Sequence, residues 1–366
     1  MAEKAIRLGG EATADAIVSA VDTMYSEHTF NEKDFALKHN DAEIAMDSNF
    51  AAQSFWKDVR VRFFRKKSAV LGLILVVFIV LLAAFGPGMN EYTYSGQELS
   101  QKNFAPRVQV LENFGIFNGD EKMSTTTGSK TVNAYVEKGK EDVYYWFGSD
   151  TYGRDIWTRT WEGARVSLII AVAAAIIDMV IGMSYGLISG YFGGKVDMVM
   201  MRIVDILMSV PSFLIIITLN IYMNAGIRTL VVTIGLFSWM GVARIVRAEV
   251  LSLRERDFIL ASEGLGARKS WVITRHFARN VFSPVLVAST NSIASAILTE
   301  SSLSYLGFGI SIPNPSWGGM LEGAQTYILT HPSLAVYPGV CILLTVLCFN
   351  VLGNGFRRRF SPNSGR

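Results

Sequence analysis

Charged residues are scarce in this chain of 366 residues: Asp, Glu, Lys and Arg make up 18% of it, against about 25% in an ordinary soluble domain. Half of the residues are hydrophobic and the mean hydropathy is +0.31. A soluble domain so apolar would expose large sticky patches, so the composition points to a membrane protein and away from a disordered chain, a collagen or a disulfide scaffold. Only two cysteines are present, Cys341 and Cys348. They lie seven apart in one apolar run, two helical turns along one face, and read as packing residues with no disulfide framework and no zinc site. The net charge is only +3 and no basic stripe carries interleaved aromatics, which leaves no nucleic-acid interface. The four histidines, His28, His39, His276 and His331, are far apart, and H-E-x-x-H is missing. So is G-x-x-x-x-G-K-[ST]: Gly193-Gly194-Lys195 and Gly139-Lys140 lack the rest of that pattern. There is no G-x-S-x-G elbow and no Asp-Asp or Ser-His pair of an intramembrane protease. The sequence therefore predicts a chain that is not an enzyme and binds no metal or cofactor.

No apolar stretch of the signal-peptide kind occurs in the first sixty residues. Residues 1–53 are polar and mostly acidic and read as a cytoplasmic extension. At Ser54 the character changes. Ser54–Lys67 mixes aromatic residues with five cations after Lys57, which suits a helix lying in the membrane interface. The alternative is a basic flank that only orients the helix after it.

A membrane-spanning helix needs about 20 mainly apolar residues. Six candidates meet this: Ala69–Phe85, the stretch between Arg165 and Lys195, Ile206–Met223, Thr229–Ala243, Val281–Leu298 and Leu334–Phe356. The loop between the fourth and fifth carries eight cations, from Arg244 to Arg279, whereas Gly309–Pro332 carries none. The excess of cations on cytoplasmic loops places the first inside and the second outside. Lys66-Lys67 and Arg357-Arg358-Arg359 then also lie inside, which only an even number of spans allows. Both termini are expected in the cytoplasm, in the cell membrane, and residues 89–163 outside. Turn formers such as Asn118-Gly119 and alternation at Thr131–Val136 and Asp142–Phe147 predict short strands in a small external subdomain.

Two acidic residues fall in apolar segments. Asp178, near the middle of the second span, costs at least ~2.5 kcal/mol unless it faces the bundle interior. It reads either as a helix-to-helix hydrogen bond or as a pathway residue. Glu300 lies at a depth that predicts the outer interface, as a packing or gate-region residue. Gly182, Gly186 and Gly190 form a row on one helix face that lets another backbone come close. Pro211 should kink the third span.

Arg254–Pro284 is the most specific segment. Ala261, Ser262, Gly264, Gly266 and Ala267 form a small-residue face among cations and the apolar Phe258, Ile259, Leu260, Leu265, Trp271, Val272 and Ile273. A short helix of this kind beneath a membrane suits docking into a groove of another protein.

Residues 257–284 resemble the cytoplasmic EAA loop of importer-type ABC permeases, with Phe258, Ile259, Ala261, Ser262, Gly266, Ala267, Ile273, His276 and Asn280 in the pattern's places. Leu260 stands where a glutamate is usual, and Arg279 where a proline is usual. Phe147-Gly-Ser-Asp-Thr-Tyr-Gly-Arg-Asp155, with Trp161-Glu-Gly-Ala-Arg-Val-Ser-Leu168, is similar to a signature of the C-type transmembrane subunit of oligopeptide and dipeptide importers. Glu300–Gly309 with Pro313–Gly318, and Leu352-Gly-Asn-Gly-Phe-Arg357, add to the resemblance, which covers roughly residues 54–360. The insert over 89–147 looks like those of Gram-positive oligopeptide permeases.

The resemblance implies an all-α polytopic membrane protein with the type I importer (MetI-like) permease core over 164–356. Before it come an interfacial and first transmembrane helix over 54–88 and the external subdomain over 89–163. After it comes a cytoplasmic tail over 357–366. It implies one permease half of a peptide importer in the lipid bilayer, paired with a second homologous permease, two ATPases that hold ATP and magnesium, and an external peptide-binding protein. The coupling loop would be 250–280, with Phe258, Ile259, Ala261, Ser262, Glu263, Gly266, Ala267, Trp271 and His276 meeting the ATPase. Asp150, Gly153, Arg154, Asp155, Arg165, Glu300 and Trp317 are the signature residues, and Gly182, Gly186 and Gly190 the packing glycines. A permease of the same fold for nickel or another small solute is the alternative. A self-contained secondary transporter, lacking inverted repeats here, ranks below both.

Overall fold

In the computed structural model, which describes residues 64–125, 128–224 and 226–360, the long apolar runs become helices. The 1–53 extension, the interfacial stretch up to residue 63 and the tail beyond 360 lie outside the described residues. Helix α1 (Lys67–Phe85) ends at Gly86-Pro87-Gly88, where proline supplies no donor to continue it. Its small residues Ala69, Gly72 and Ala83 are buried, while Leu71, Ile74, Phe78 and Leu81 are exposed.

A small subdomain follows. Strands β1 (Asp120–Thr125) and β2 (Gly128–Asn133) pair antiparallel, with Asp120 opposite Asn133. The strand expected over Thr131–Val136 stops at Asn133, because the Asn133 side chain accepts the Tyr135 and Val136 amides and starts the short helix α2 (Ala134–Glu137). Asp142–Phe147, also expected as a strand, is irregular. It delivers Tyr145 into an aromatic core with Phe104 and Tyr135 rather than onto a sheet face.

The second span begins nine residues before Arg165. Helix α3 (Ile156–Ile177), a π turn (Asp178–Gly182) and α4 (Met183–Phe192) form one rod. Asp155 caps it, accepting the Thr158 amide at 2.8 Å. Gly193, at φ 61° and ψ −161°, turns the chain into α5 (Gly194–Ser209). The expected third span is not one kinked helix: α5 and α6 (Ser212–Tyr222) meet at 77°, because Val210 is extended and Pro211 has no amide to donate. Helix α7 (Ile227–Arg254) runs well past Ala243, the expected end of the fourth span. Its arginines are answered by α5: Arg244 pairs with Asp205, and Arg247 with Asp197 through two contacts of 2.5 Å. Then come α8 (Asp257–Gly264), α9 (Lys269–Val272), a second π turn (Ile273–Phe277), α10 (Ala278–Tyr305), α11 (Trp317–Ala324) and α12 (Ser333–Phe360).

Among the described residues five segments are long and apolar enough to cross a membrane, and six if the bent α5–α6 pair is one span. Helix α10 packs against α3, α7 and α12, and α1 packs against α12 and α3. Outward-facing Ile, Val, Leu, Met and Phe side chains line α1, α5 and α6. Together with helices that satisfy their own backbone, this is the construction of a multi-pass membrane protein.

The glycine row sits against α7. A methyl group built on Gly182 would lie 2.7 Å from the Trp239 carbonyl, on Gly186 2.5 Å from the Ala243 carbonyl, and on Gly190 2.8 Å from Val250. The helices touch backbone to backbone. Gly186→Val should therefore cost on the order of 1–3 kcal/mol through overpacking and lower the unfolding temperature in detergent. Gly339→Ala, where an added methyl meets nothing within 4 Å, should not. Thermal unfolding of the two purified variants checks this.

Candidate functional site

Three places gather the residues that the sequence singles out. The first is the junction of the subdomain with the bundle. Asp150 folds its own loop: its carboxylate accepts the amides of Tyr152 (2.8 Å) and Arg154 (3.0 Å) and the Arg154 Nε (2.7 Å). Arg159 stands 3.6 Å from it. Gly153, at φ +72°, permits this turn, and a methyl there would lie 1.9 Å from the Glu98 carbonyl. Besides capping α3, Asp155 accepts from Asn90 Nδ2 (2.7 Å) and Thr158 Oγ1 (2.6 Å). Burial pushes its carboxyl above the usual range, and these donors hold it down.

Arg165, inside α3 rather than at its start, forms an ion pair with Glu162 at 2.7 Å. It also donates to the Ala83 and Ala84 carbonyls that end α1. Trp317 is fully buried and donates from Nε1 to the Thr160 carbonyl at 3.0 Å. Glu300, expected at the outer interface as a packing or gate-region residue, lies near the end of α10. It is fully buried, accepting from Ser167 on α3 (2.8 Å) and from Ser304 one turn along α10 (2.7 Å). Hydroxyl groups stand there in place of water. These signature residues hydrogen-bond one helix to another.

The second place is the hairpin of α8 and α9. Ile259, Val272 and Phe277 are buried in a cluster with Val246 and Val250 of α7 and Val281 and Val285 of α10, so one side of the hairpin is part of the bundle. Ser262 Oγ lies 3.1 Å from His276 Nε2. The His276 ring packs against Trp271 at 5.0 Å and Phe258 at 5.8 Å. Tyr191 donates to Glu263 at 3.0 Å. The other side is open: Phe258, Leu260, Leu265 and Trp271 are exposed, Leu265 by 89%. Gly266, at φ +80°, closes α8, and neither it nor Gly264 has any atom within 4 Å of an added methyl. Ala261 on the same stretch is exposed, and Ala267 is half-buried against the bundle cluster.

The third place was missed by sequence reasoning. A cleft of about 300 Å³ opens between α7 and α10, lined by Ser238, Asn291, Ser292, Ser295 and Thr299 among apolar residues. The α10 polar residues recur at helical spacing, a signal available in the sequence but masked by the apolar run around them. Asp178, fully buried, lies behind the cleft and accepts from Ser238. Among the described residues no group of three or more His, Cys, Asp or Glu is placed to hold a metal ion.

Residues 182–365 match the family described as binding-protein-dependent transport system inner membrane component. Residues 54–106 match the N-terminal transmembrane domain of oligopeptide transport permease C. The chain is similar to the oligopeptide transport system permease protein OppC of Bacillus subtilis, at 38% identity over 84% of this chain and 90% of the relative. It is similar to the dipeptide permease protein DppC of Lactococcus lactis, at 37% identity over 86% and 92%. It is also similar to OppC of Haemophilus influenzae, at 32% over 93% and 99%.

The aromatic core that seats the Asp150 loop carries a pH dependence. Tyr135, fully buried, donates to the Ala105 carbonyl at 2.7 Å, and Tyr145 donates to Gln101. Burial pushes both hydroxyls well above the ordinary tyrosine range. The folded state thus holds protons that the unfolded chain releases near pH ~10. The stability these groups add is complete below that pH and falls as pH rises through it. Protection of the subdomain from limited proteolysis should drop above about pH 10. Tyr135→Phe should cost about 1 kcal/mol at neutral pH, through the lost hydrogen bond, while making the alkaline loss less steep.

Proposed function

The chain belongs to the family of binding-protein-dependent transport system inner membrane components, and from that premise we propose that it is one permease half of an ATP-driven importer of oligopeptides or dipeptides. Relatives named for oligopeptide and dipeptide transport, aligned over most of both chains, support the substrate class; they do not favour nickel. In this reading the chain pairs with a second, similar permease. Two cytoplasmic ATPases and an external peptide-binding protein complete the importer. ATP and magnesium are held on the ATPases.

The single observation that carries the coupling assignment is the two-sided α8–α9 hairpin. A face anchored through Ile259, Val272 and Phe277 backs an exposed face of Phe258, Leu260, Leu265 and Trp271. Small residues between them let a groove wall come close. A push on this hairpin passes into α7 and α10 at once, because the anchoring side chains pack on both. These are also the helices that wall the cleft. ATP binding would draw two such hairpins together and turn the cavity between the permeases outward. Peptide then enters from the binding protein, and hydrolysis resets the cavity. The Ser262–His276 contact and the Tyr191–Glu263 bond hold the hairpin's shape.

In this reading the 250–280 loop, residues 1–53 and both termini lie in the cytoplasm. The subdomain over 89–163 lies outside, where its Asp150 loop and Trp317 brace the external ends of the helices. The core over 164–356 carries the pathway.

Gly264→Arg is the cleanest test, since the added side chain meets nothing within this chain, whereas Gly266 also needs its left-handed backbone. A cation forced into the centre of an interface costs on the order of 2 kcal/mol, more than tenfold in affinity. The variant should reach the membrane and pair with the second permease, yet lose the ATPase subunits on purification and lose peptide uptake. Wild-type recovery of the ATPases with normal uptake would overturn the coupling assignment. Recovery of the wild-type chain without a second permease or any P-loop ATPase would overturn the importer reading.

A further inference from the structure

Asp178 is a buried carboxylate that nothing in the coupling scheme uses. It opens the π turn between α3 and α4 and makes no ion pair among the described residues. Ser238 of α7 donates to its Oδ1. Its Oδ2 has no hydrogen-bond partner, and Ser292 of α10 lies beside the carboxylate. Both serines line the cleft between α7 and α10, so the carboxylate stands one hydroxyl behind the cleft wall.

The direction of these hydrogen bonds sets what the cleft presents. A hydroxyl has one proton and two lone pairs. Once its proton points back at Asp178, only lone pairs face the cleft. Asn291, Ser295 and Thr299 continue the polar strip along α10; Thr299 spends its proton on the Ser295 carbonyl at 2.9 Å. At Ser238, the hydroxyl next to Asp178, the cleft thus meets lone pairs, with an acid that makes no ion pair behind it in apolar surroundings, where charge interactions are strong. Such a wall favours a cation that also donates hydrogen bonds, and it repels a carboxylate.

We propose that Asp178, with Ser238 and Ser292, forms a seat in the α7–α10 cleft for an ammonium group, the free amino terminus of a peptide in transit. This rests on the importer reading and specifies the chemistry of its pathway. Peptides would pass with the amino end held at this wall, and the carboxyl end would be excluded from it. The attraction must be modest, because a pathway site has to release its cargo.

The test uses the assembled complex of both permeases and both ATPases in lipid nanodiscs, without the external binding protein, whose own preference would mask the effect. The probes are trialanine carrying a fluorescent amide at its carboxyl end, and the same peptide N-acetylated. The wild-type complex should bind the free amine about tenfold or more tightly than the acetylated form, the scale of hydrogen bonds to a charged group. Asp178→Asn, which keeps the shape, should bring the two within about twofold by weakening only the free amine.

Three results would overturn the seat: a preference that survives Asp178→Asn, an equal weakening of both peptides, or no binding of either to the wild type. Equal weakening would mark Asp178 as a bond between α3 and α7 and nothing more. If Asp178→Asn is not recovered in the complex, Ser238→Ala carries the same comparison. Uptake by the wild-type complex with its binding protein is measured alongside. Uptake without the seat leaves the importer reading standing, and absence of uptake removes that reading itself.

Discussion

A polar group among apolar helices is costly unless another protein group answers it, since hydrocarbon offers no hydrogen bonds. That constraint explains the signature residues better than any chemistry would. Glu300 is surrounded by Ser167 and Ser304, and Arg165 closes the open carbonyls at the end of α1. Trp157 and Trp317 each donate an indole proton to a backbone carbonyl, of Gly86 and Thr160. All of these but the Ser304 bond join segments far apart in sequence. In three dimensions these signature residues form hydrogen bonds from one helix to another.

Close helix contact is the second half of the same economy. Without water to drive apolar surfaces together, helices associate through dispersion at short range, and glycine sets how short that range is. The row at Gly182, Gly186 and Gly190 brings α4 onto the backbone of α7. The α5–α6 pair is held differently. Val204 is the one described residue buried in α5, and Ile216 and Asn220 those in α6. Asp197 and Asp205 anchor α5 to Arg247 and Arg244 of α7. These contacts are polar and lie on one helix, so this pair is the least deeply packed of the long segments.

Much of this was legible in the sequence. Apolar length gave the helices, and the spacing of three glycines gave a packed face. What failed did so for identifiable reasons. Window hydropathy stops at the first arginine, so α7 was cut at Ala243; the acids that neutralise Arg244 and Arg247 sit on α5, forty to fifty residues away. Proline suggested a kink in the third span but not the 77° break, which also needs the extended Val210. Depth counted along α10 did not reveal that Glu300 is buried against Ser167, because counting residues says nothing of what packs across from them. The strand expected at Thr131–Val136 ended early on a single Asn133 cap. The cleft was hidden because its polar residues are small and alternate with an apolar face of the same helix.

The three places form one mechanical sequence. The hairpin of α8 and α9 is anchored on α7 and α10 through Ile259, Val272 and Phe277, and the cleft lies between those same two helices. At the other end, α10 is held to α3 by Glu300 and α11 to α3 by Trp317. A displacement entering at the hairpin passes through the packed cluster into α7 and α10 and meets hydrogen-bonded joints at the other end of α10. Close-packed apolar side chains have little room to compress, so they pass a push on, and the directional hydrogen bonds to the Glu300 carboxylate hold α3 and α10 together. In the proposed importer the hydrogen-bonded end of α10 would serve as the pivot and the hairpin as the lever, and the cleft, whose lining starts at Thr299 beside Glu300, lies along the arm between them.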